Sequence, residues 1–97
     1  MAKTPEGKVK DDIKAWLIAH GIWFFMPVPT GRGVIGIPDF ICCWNGLFIA
    51  IEAKSAKGRA SPAQKGVLQD ITRAGGIALV IHSVAELQEY FDANQSE

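Results

Sequence analysis

Apolar residues near the N-terminus recur every three or four positions and predict an amphipathic helix. Thr4 is a good N-cap for this helix, because its hydroxyl can accept a hydrogen bond from a backbone N–H of the first turn. Pro5 suits the first helical position, and His20-Gly21 supplies a stop in which the glycine adopts the left-handed conformation. The apolar face of the predicted helix comprises Val9, Ile13, Trp16 and Leu17.

Three runs rich in β-branched and aromatic residues follow, and each predicts a strand. The first is Trp23–Val28, and the second and third are Asp39–Trp44 and Leu47–Ala53. A loop over residues 29–38, with three glycines and two prolines, separates the first run from the second. Asn45-Gly46 separates the second from the third. Because Asn-Gly between apolar runs indicates a hairpin with a type I′ turn, we expect these two strands to be antiparallel neighbours.

The second half of the chain predicts a helix, a strand and a further helix. Ser61-Pro-Ala-Gln has the capping-box pattern of a helix start, and Gly75-Gly76 ends that helix. Residues 77–82 form an apolar run typical of a buried strand, and Ser83 caps a last helix through about Asp92. The predicted order is α-β-β-β-α-β-α, an α/β arrangement.

The hairpin determines which residues face each other across its two strands. With the Asn-Gly pair as the two-residue loop, Trp44 lies opposite Leu47, and counting outward from this pair places Asp39 opposite Glu52. Directly opposed residues share a sheet face, with Cβ atoms about 4.5–5.5 Å apart. Lys54 is two residues beyond Glu52 and projects from the same face. Two carboxylates and an ammonium group are therefore expected to meet at the open end of the hairpin.

Opposed carboxylates repel each other, so folding alone gives no reason to place Asp39 opposite Glu52. Mg²⁺ would remove this repulsion, because it binds one or two carboxylates together with waters and phosphate oxygens. Such an ion lowers the pKa of a coordinated water and polarises a phosphoryl group, while Lys54 would supply positive charge near the developing negative charge. These groups predict hydrolysis of a phosphodiester. An edge strand with merely solvated charges fits less well, because the residues before Glu52 are so apolar.

Length and composition narrow the class of protein. A chain of 97 residues with 48% hydrophobic content predicts one globular domain spanning 1–97. Its apolar runs are far shorter than the ~20 residues of a membrane span. The first residues lack the apolar segment of a secretory signal, so a cytoplasmic location is expected. Cys42 and Cys43 point to opposite faces of a strand and are expected to be packed strand residues that form neither a disulfide nor a zinc site.

Charge is unevenly distributed along the chain, although the formal net charge is zero. Residues 54–73 carry five basic residues against the single Asp70, whereas residues 86–97 carry four acidic residues and no basic one. A dipolar chain of this kind can present one positive face to phosphates. The candidates for phosphate contacts are Arg32, Lys57, Arg59 and Lys65.

These motifs resemble those of a known nuclease superfamily. Gly-Ile-Pro-Asp39, a twelve-residue gap and then Glu52-Ala-Lys54 are similar to the signature of the PD-(D/E)XK nucleases. Ser61-Pro-x-Gln64, and Ala74-Gly75-Gly76 ahead of a strand, resemble the virus-type replication-repair nuclease (VRR-NUC) domain, and the match covers nearly the whole chain. The resemblance implies a restriction-endonuclease-like core, in which helices flank a central mixed sheet.

The resemblance also implies roles for individual residues. In that family the Asp and the Glu bind the metal and the Lys assists catalysis, which assigns these roles to Asp39, Glu52 and Lys54. Gln64 corresponds to a glutamine associated with the family's active site, although the capping box explains it in structural terms. Glu6 corresponds to an acidic residue of the first helix that can complete the metal site, although the helix dipole also favours an acid there.

For a stand-alone domain of this size, the resemblance implies a homodimer that uses Mg²⁺, with Mn²⁺ as a substitute, and cuts branched DNA such as four-way (Holliday) junctions. The cellular setting it implies is a bacterium or a phage-infected host. Two alternatives stay open: a nicking, flap or restriction-type nuclease acting on other DNA, and a catalytically silent DNA-binding module. Apposed carboxylates disfavour the silent module, because DNA binding has no use for them.

Overall fold

The computed structural model describes residues 3–95, and its elements follow the order that the sequence predicts. Glu97, the last acid of the acidic stretch, lies outside the described residues. Over residues 3–95, no helix combines the length and the apolarity needed to cross a membrane. The helices are α1 (Pro5–Ala19), α2 (Pro62–Arg73) and α3 (Val84–Asn94), and the strands are β1 (Trp23–Phe25), β2 (Phe40–Trp44), β3 (Leu47–Ala53) and β4 (Ile77–Ile81).

The four strands form one mixed sheet in the order β1-β2-β3-β4. The pairs β1–β2 and β2–β3 are antiparallel, whereas β3 and β4 are parallel and are connected through α2. Helices α1 and α3 cover one face, where alternate strand residues meet them in the core. The expected mixed sheet flanked by helices is thereby confirmed. The core comprises Ile13, Leu17, Ile22, Phe40, Cys42, Ile49, Ile51, Ala53, Ile81, Leu87 and Phe91.

The hairpin has the register that its turn predicts. Trp44 pairs with Leu47, and the ladder continues outward to Phe40 opposite Ile51. Asn45 and Gly46 both have positive φ, 50° and 79°, which is the requirement of a type I′ turn. The positions that follow the last ladder pair are those of Asp39 and Glu52, so the hairpin carries both carboxylates to its open end.

Helix α2 covers part of the opposite face of the sheet, beside β4. Its N-cap Ser61 and its Gln64 form the predicted capping box. The preceding glycine-rich loop reaches this helix at Gly36, which has φ +89°. A Cβ at Gly36 would lie 2.7 Å from the carbonyl carbon and oxygen of Ala63. Only glycine permits this approach, which holds the loop against the start of α2.

Three predicted strands differ from the observed ones, the second only in beginning one residue later, at Phe40. The first was expected to reach Val28, but β1 ends at Phe25. The β1–β2 register would bring Pro27 opposite Asp39, and proline has no N–H to donate to the ladder. The prediction of a buried strand at 77–82 was wrong in burial, because β4 is an edge of the sheet and only Ile81 is fully buried.

The two cysteines have different surroundings, as residues on opposite faces of β2. Cys42 is buried in the core, and burial raises the pKa of its thiol to about 12. Cys43 is exposed, so its expected packing was wrong. It belongs to a part of the sheet that α2 does not reach, between the exposed Trp23 and Phe48.

Candidate active site

Three carboxylates from separate parts of the chain converge at the open end of the hairpin. Glu6 comes from the first turn of α1, Asp39 immediately precedes β2, and Glu52 lies near the end of β3. Each offers an oxygen, and these three oxygens all lie within 4.8 Å of one another. The apposition of Asp39 and Glu52 predicted from the hairpin is thus present, and the first helix adds a third acid.

Asp39 has a separate partner for each carboxylate oxygen. Its Oδ2 accepts a hydrogen bond of 2.9 Å from the backbone N–H of Ala53. Its Oδ1 lies 3.3 Å from Nζ of Lys10, which extends from α1. Lys10 was not among the predicted site residues, because a lysine on an amphipathic helix usually marks the solvated face. Lys10 lies one helical turn after Glu6, on the same side of α1, and this spacing is the sequence signal that could have placed it near the carboxylates.

Glu52 is the most buried charged residue of the site, with 1% of its surface exposed. Its Oε2 accepts a hydrogen bond of 3.0 Å from Nε2 of Gln64. Its Oε1 is buried and has no hydrogen-bond partner among the described residues. Burial, followed by the nearby negative charge of Asp39, raises the pKa of Glu52 to about 7. A buried oxygen without a partner is costly, and a cation would satisfy it.

Lys54 places its ammonium group between two of the carboxylates. Nζ lies 3.3 Å from Oε2 of Glu52 and 3.8 Å from Oε1 of Glu6, and the side chain is only 11% exposed. The backbone N–H of Lys54 donates to the carbonyl oxygen of Ile81, which extends the contact between β3 and β4. Because so little of the Lys54 side chain is exposed, its ammonium group is held beside the carboxylates of Glu52 and Glu6.

Gln64 links the start of α2 to the cluster. Its Oε1 accepts a hydrogen bond of 2.8 Å from the backbone N–H of Ser61, which completes the capping box. Its Nε2 donates to Glu52. The amide group therefore caps the helix through its oxygen and contacts the carboxylate cluster through its nitrogen.

The donor set fits a hard divalent cation such as Mg²⁺. The oxygens of Glu6, Asp39 and Glu52 are close enough to share one ion, and hard cations favour oxygen ligands. The unpartnered Oε1 of Glu52 is the strongest sign of this fit, because the fold buries it without a donor. Cation binding would also remove the repulsion among the three carboxylates.

A cleft of about 610 Å³ opens beside Asp39. It is bordered by the glycine-rich loop and also by Lys10, Arg32, Asp39 and Gln64. The four cations predicted to contact phosphates are exposed and, among residues 3–95, form no ion pairs. Of these, the structure brings Arg32 to the cleft. Lys57 and Arg59 lie on the loop between β3 and α2, and Lys65 lies in the first turn of α2.

Comparisons with known proteins identify the fold. No protein-family model matches the sequence, and no curated protein matches it either. One solved structure, described as "VRR_NUC domain", superposes with a TM-score of 0.80 at 21% sequence identity, covering 96% of this chain and 100% of that one. A second, "VRR_NUC domain protein", gives a TM-score of 0.71 at 18% identity, covering 99% and 95%. The chain therefore has the fold of VRR-NUC domain structures, as the sequence motifs suggested.

Proposed function

We propose that this protein is a metal-dependent endonuclease that hydrolyses phosphodiester bonds in DNA. The observation that carries the proposal is the convergence of Glu6, Asp39 and Glu52 oxygens within 4.8 Å. Lys54 lies against two of these carboxylates. Such a cluster costs folding free energy through repulsion and burial, so it indicates a site retained for chemistry. The VRR-NUC fold supports the same function.

Glu6, Asp39 and Glu52 would hold the metal ion, which we propose to be Mg²⁺, with Mn²⁺ as a substitute. Mg²⁺ keeps several waters and also accepts phosphate oxygens, so protein ligands need not complete its coordination. A bound divalent ion supplies a coordinated water of lowered pKa and stabilises negative charge on the phosphoryl oxygens. Both of these effects accelerate the hydrolysis of a phosphodiester.

The surrounding residues would orient the carboxylates and bind the phosphates of the DNA. Gln64 holds Oε2 of Glu52, which leaves Oε1 free for a cation. The backbone N–H of Ala53 fixes the orientation of Asp39. Lys54 would place its positive charge beside the attacked phosphate and stabilise the charge that develops there. The exposed cations would contact flanking phosphates of the same DNA: Arg32, Lys57, Arg59 and Lys65.

Branched DNA is the substrate that we propose, and the loop beside the cleft supports it. Four aliphatic side chains between β1 and β2 are exposed and line the cleft that Asp39 borders, although exposure of apolar groups to water is unfavourable. At a branch point the duplex is discontinuous, and apolar side chains of this kind can insert between base steps there. These side chains are Val28, Val34, Ile35 and Ile37.

We further propose that the enzyme is a homodimer. Trp23, Cys43 and Phe48 occupy adjacent positions across three strands and are all exposed, Trp23 by 62%. We call this row, together with Phe25, the open sheet face. A second copy packed on this face would remove its aromatic surface from water. A two-fold axis would also supply two active sites, which is what cutting both strands of a junction requires.

One experiment separates this function from its alternatives. Labelled four-way junction, flap and plain duplex DNA are incubated with the protein in Mg²⁺, Mn²⁺ or chelator. We expect cleavage that needs a divalent ion and is fastest on the junction. Preferential cleavage of the flap or the duplex would assign a different nuclease activity. Binding without cleavage of any substrate would identify a catalytically silent DNA-binding module.

A further inference from the structure

Lys10 reaches the candidate site but has no part in the chemistry described above. Its Nζ lies 3.3 Å from Oδ1 of Asp39, and its side chain is 40% exposed. It borders the cleft together with Arg32. Because Lys10 lies one helical turn after Glu6, both side chains extend from the same side of α1 to the same cluster.

The partners of Asp39 differ in how firmly they are held. Oδ2 is bound by a backbone N–H of β3, which the sheet fixes in place. Oδ1 is bound by an ammonium group at the end of a flexible four-carbon stem, open to solvent on the cleft side. The contact with Oδ1 is therefore the one that can be exchanged without disturbing the fold.

A divalent cation and Lys10 would act on the same carboxylate. Without a metal, Lys10 and Lys54 are the only two ammonium groups within 4 Å of the three carboxylates among the described residues. A cation bound at Asp39 would neutralise the attraction that holds Lys10 and would repel its charge. The open side of Lys10 faces the cleft, where a DNA phosphate would provide a new anionic partner.

We propose that Lys10 is a phosphate-positioning residue that exchanges its partner during the catalytic cycle. It pairs with Asp39 in the metal-free protein and contacts a backbone phosphate of the DNA once the metal and the substrate are bound. This inference rests on the proposed nuclease function, and it gives Lys10 a role distinct from that of Lys54, which stays in the carboxylate cluster.

The exchange predicts effects of opposite sign for the substitution Lys10→Gln. Removing the competing ammonium group should tighten Mg²⁺ binding in the absence of DNA, with Kd lower by about 3- to 10-fold. Removing a phosphate contact should weaken DNA binding and reduce the slope of log K against log salt concentration by about one. A purely structural role would not tighten metal binding while weakening DNA binding.

The test uses the full chain and two measurements that do not depend on turnover. Mg²⁺ affinity is measured by calorimetry without DNA. Junction binding is measured across a salt series in Ca²⁺, with the DNA checked afterwards to be intact. Lys14→Gln is the matched control, since Lys14 is an exposed lysine one turn further along α1. Lys10→Arg should retain the wild-type salt slope, and Lys10→Met should repeat the behaviour of Lys10→Gln.

The possible outcomes separate this inference from the proposed function. Tighter Mg²⁺ binding with a shallower salt slope, in Lys10→Gln and not in Lys14→Gln, supports the partner exchange. A wild-type protein that cuts DNA, with Lys10→Gln matching it in both measurements, would overturn the role of Lys10 and leave the nuclease function intact. A wild-type protein that binds neither the metal nor DNA would overturn the function itself.

Discussion

Gln64 donates a hydrogen bond of 3.0 Å from Nε2 to Oε2 of Glu52, while the other oxygen of Glu52 has no partner among the described residues. The amide of Gln64 is itself fixed, because its Oε1 accepts from the backbone of Ser61. The start of α2 therefore orients a buried carboxylate on the neighbouring strand. Residues that orient a metal ligand in this way commonly affect metal affinity and activity by about 10- to 100-fold.

Gln64→Ala should reduce Mg²⁺ affinity and cleavage rate by about 10- to 100-fold. Ser61 can still accept the hydrogen bond from the backbone of residue 64, so the helix keeps part of its cap. Metal titration by calorimetry and single-turnover cleavage are the measurements. Gln69→Ala, at an exposed position of the same helix, is the control and should leave both quantities unchanged. Equal behaviour of the two variants would show that Gln64 acts only as a cap.

The metal-free protein should lose stability as the pH rises from about 5 to 8. Glu52 has its pKa raised from 4.5 to about 7 by burial and by Asp39, so the folded state retains a proton that the unfolded state releases between these values. The stabilisation from this proton is complete below pH 4.5 and is lost as the pH rises through 7. Thermal unfolding across this range, in chelator, measures the effect.

Glu52→Gln should flatten that dependence on pH, because the amide does not titrate. Glu89→Gln, which changes an exposed acid of α3, should retain the wild-type profile. Mg²⁺ should raise the melting temperature of the wild-type protein most above pH 7, where Glu52 is ionised and able to bind it. If the melting temperature of the wild-type protein in chelator instead rises from pH 5 to 8, the prediction that the buried Glu52 holds a proton in the metal-free protein is wrong.

Gly36→Ala should destabilise the protein and lower its activity. Its positive φ alone costs about 1–2 kcal/mol for an alanine, and the added Cβ would lie 2.7 Å from the backbone of Ala63. The displaced start of α2 carries Gln64, so cleavage should fall together with the free energy of unfolding. Gly33→Ala is the control, since Gly33 also has a positive φ but nothing within 4 Å of a new Cβ. If both variants lose equal stability, backbone strain alone explains the effect and the close approach to α2 contributes nothing.

Trp23→Ser should convert the proposed dimer into a monomer by removing the largest side chain of the open sheet face. Ile18→Ser is a matched control, because Ile18 on α1 is exposed to the same extent, 62% for each residue. Light scattering coupled to gel filtration gives the mass of each variant. A wild-type monomer would refute the homodimer, and a dimer that survives Trp23→Ser would place the interface elsewhere.

Much of the site could be predicted because short-range signals specify it. Asn45-Gly46 permits only a narrow set of turns, and a two-residue turn fixes the register that brings Asp39 to Glu52. The Ser61 capping box likewise locates the start of α2 to the residue. These signals depend on backbone conformation over a few residues, so they can be read without knowledge of tertiary contacts.

The features that sequence analysis missed depend on contacts between distant elements. Lys10 meets Asp39 only through the packing of α1 against the sheet, and no local pattern specifies that packing. The early end of β1 fits the position of Pro27 opposite Asp39, just before β2 begins. The exposure of Cys43 depends on how far α2 extends over the sheet, which apolar periodicity within one strand does not reveal.

One measurement tests whether the carboxylate cluster is the catalytic centre. It compares single-turnover cleavage of a four-way junction by two variants, Asp39→Asn and Asp12→Asn. Both changes replace one carboxylate with an amide of the same shape, but Asp12 is exposed on α1 and, within residues 3–95, pairs only with Lys8. We expect Asp39→Asn to lower the Mg²⁺-dependent rate by at least about 100-fold, since it weakens both metal binding and charge stabilisation. Asp12→Asn should cleave at the wild-type rate. Cleavage by Asp39→Asn at the wild-type rate would contradict the assignment of this site.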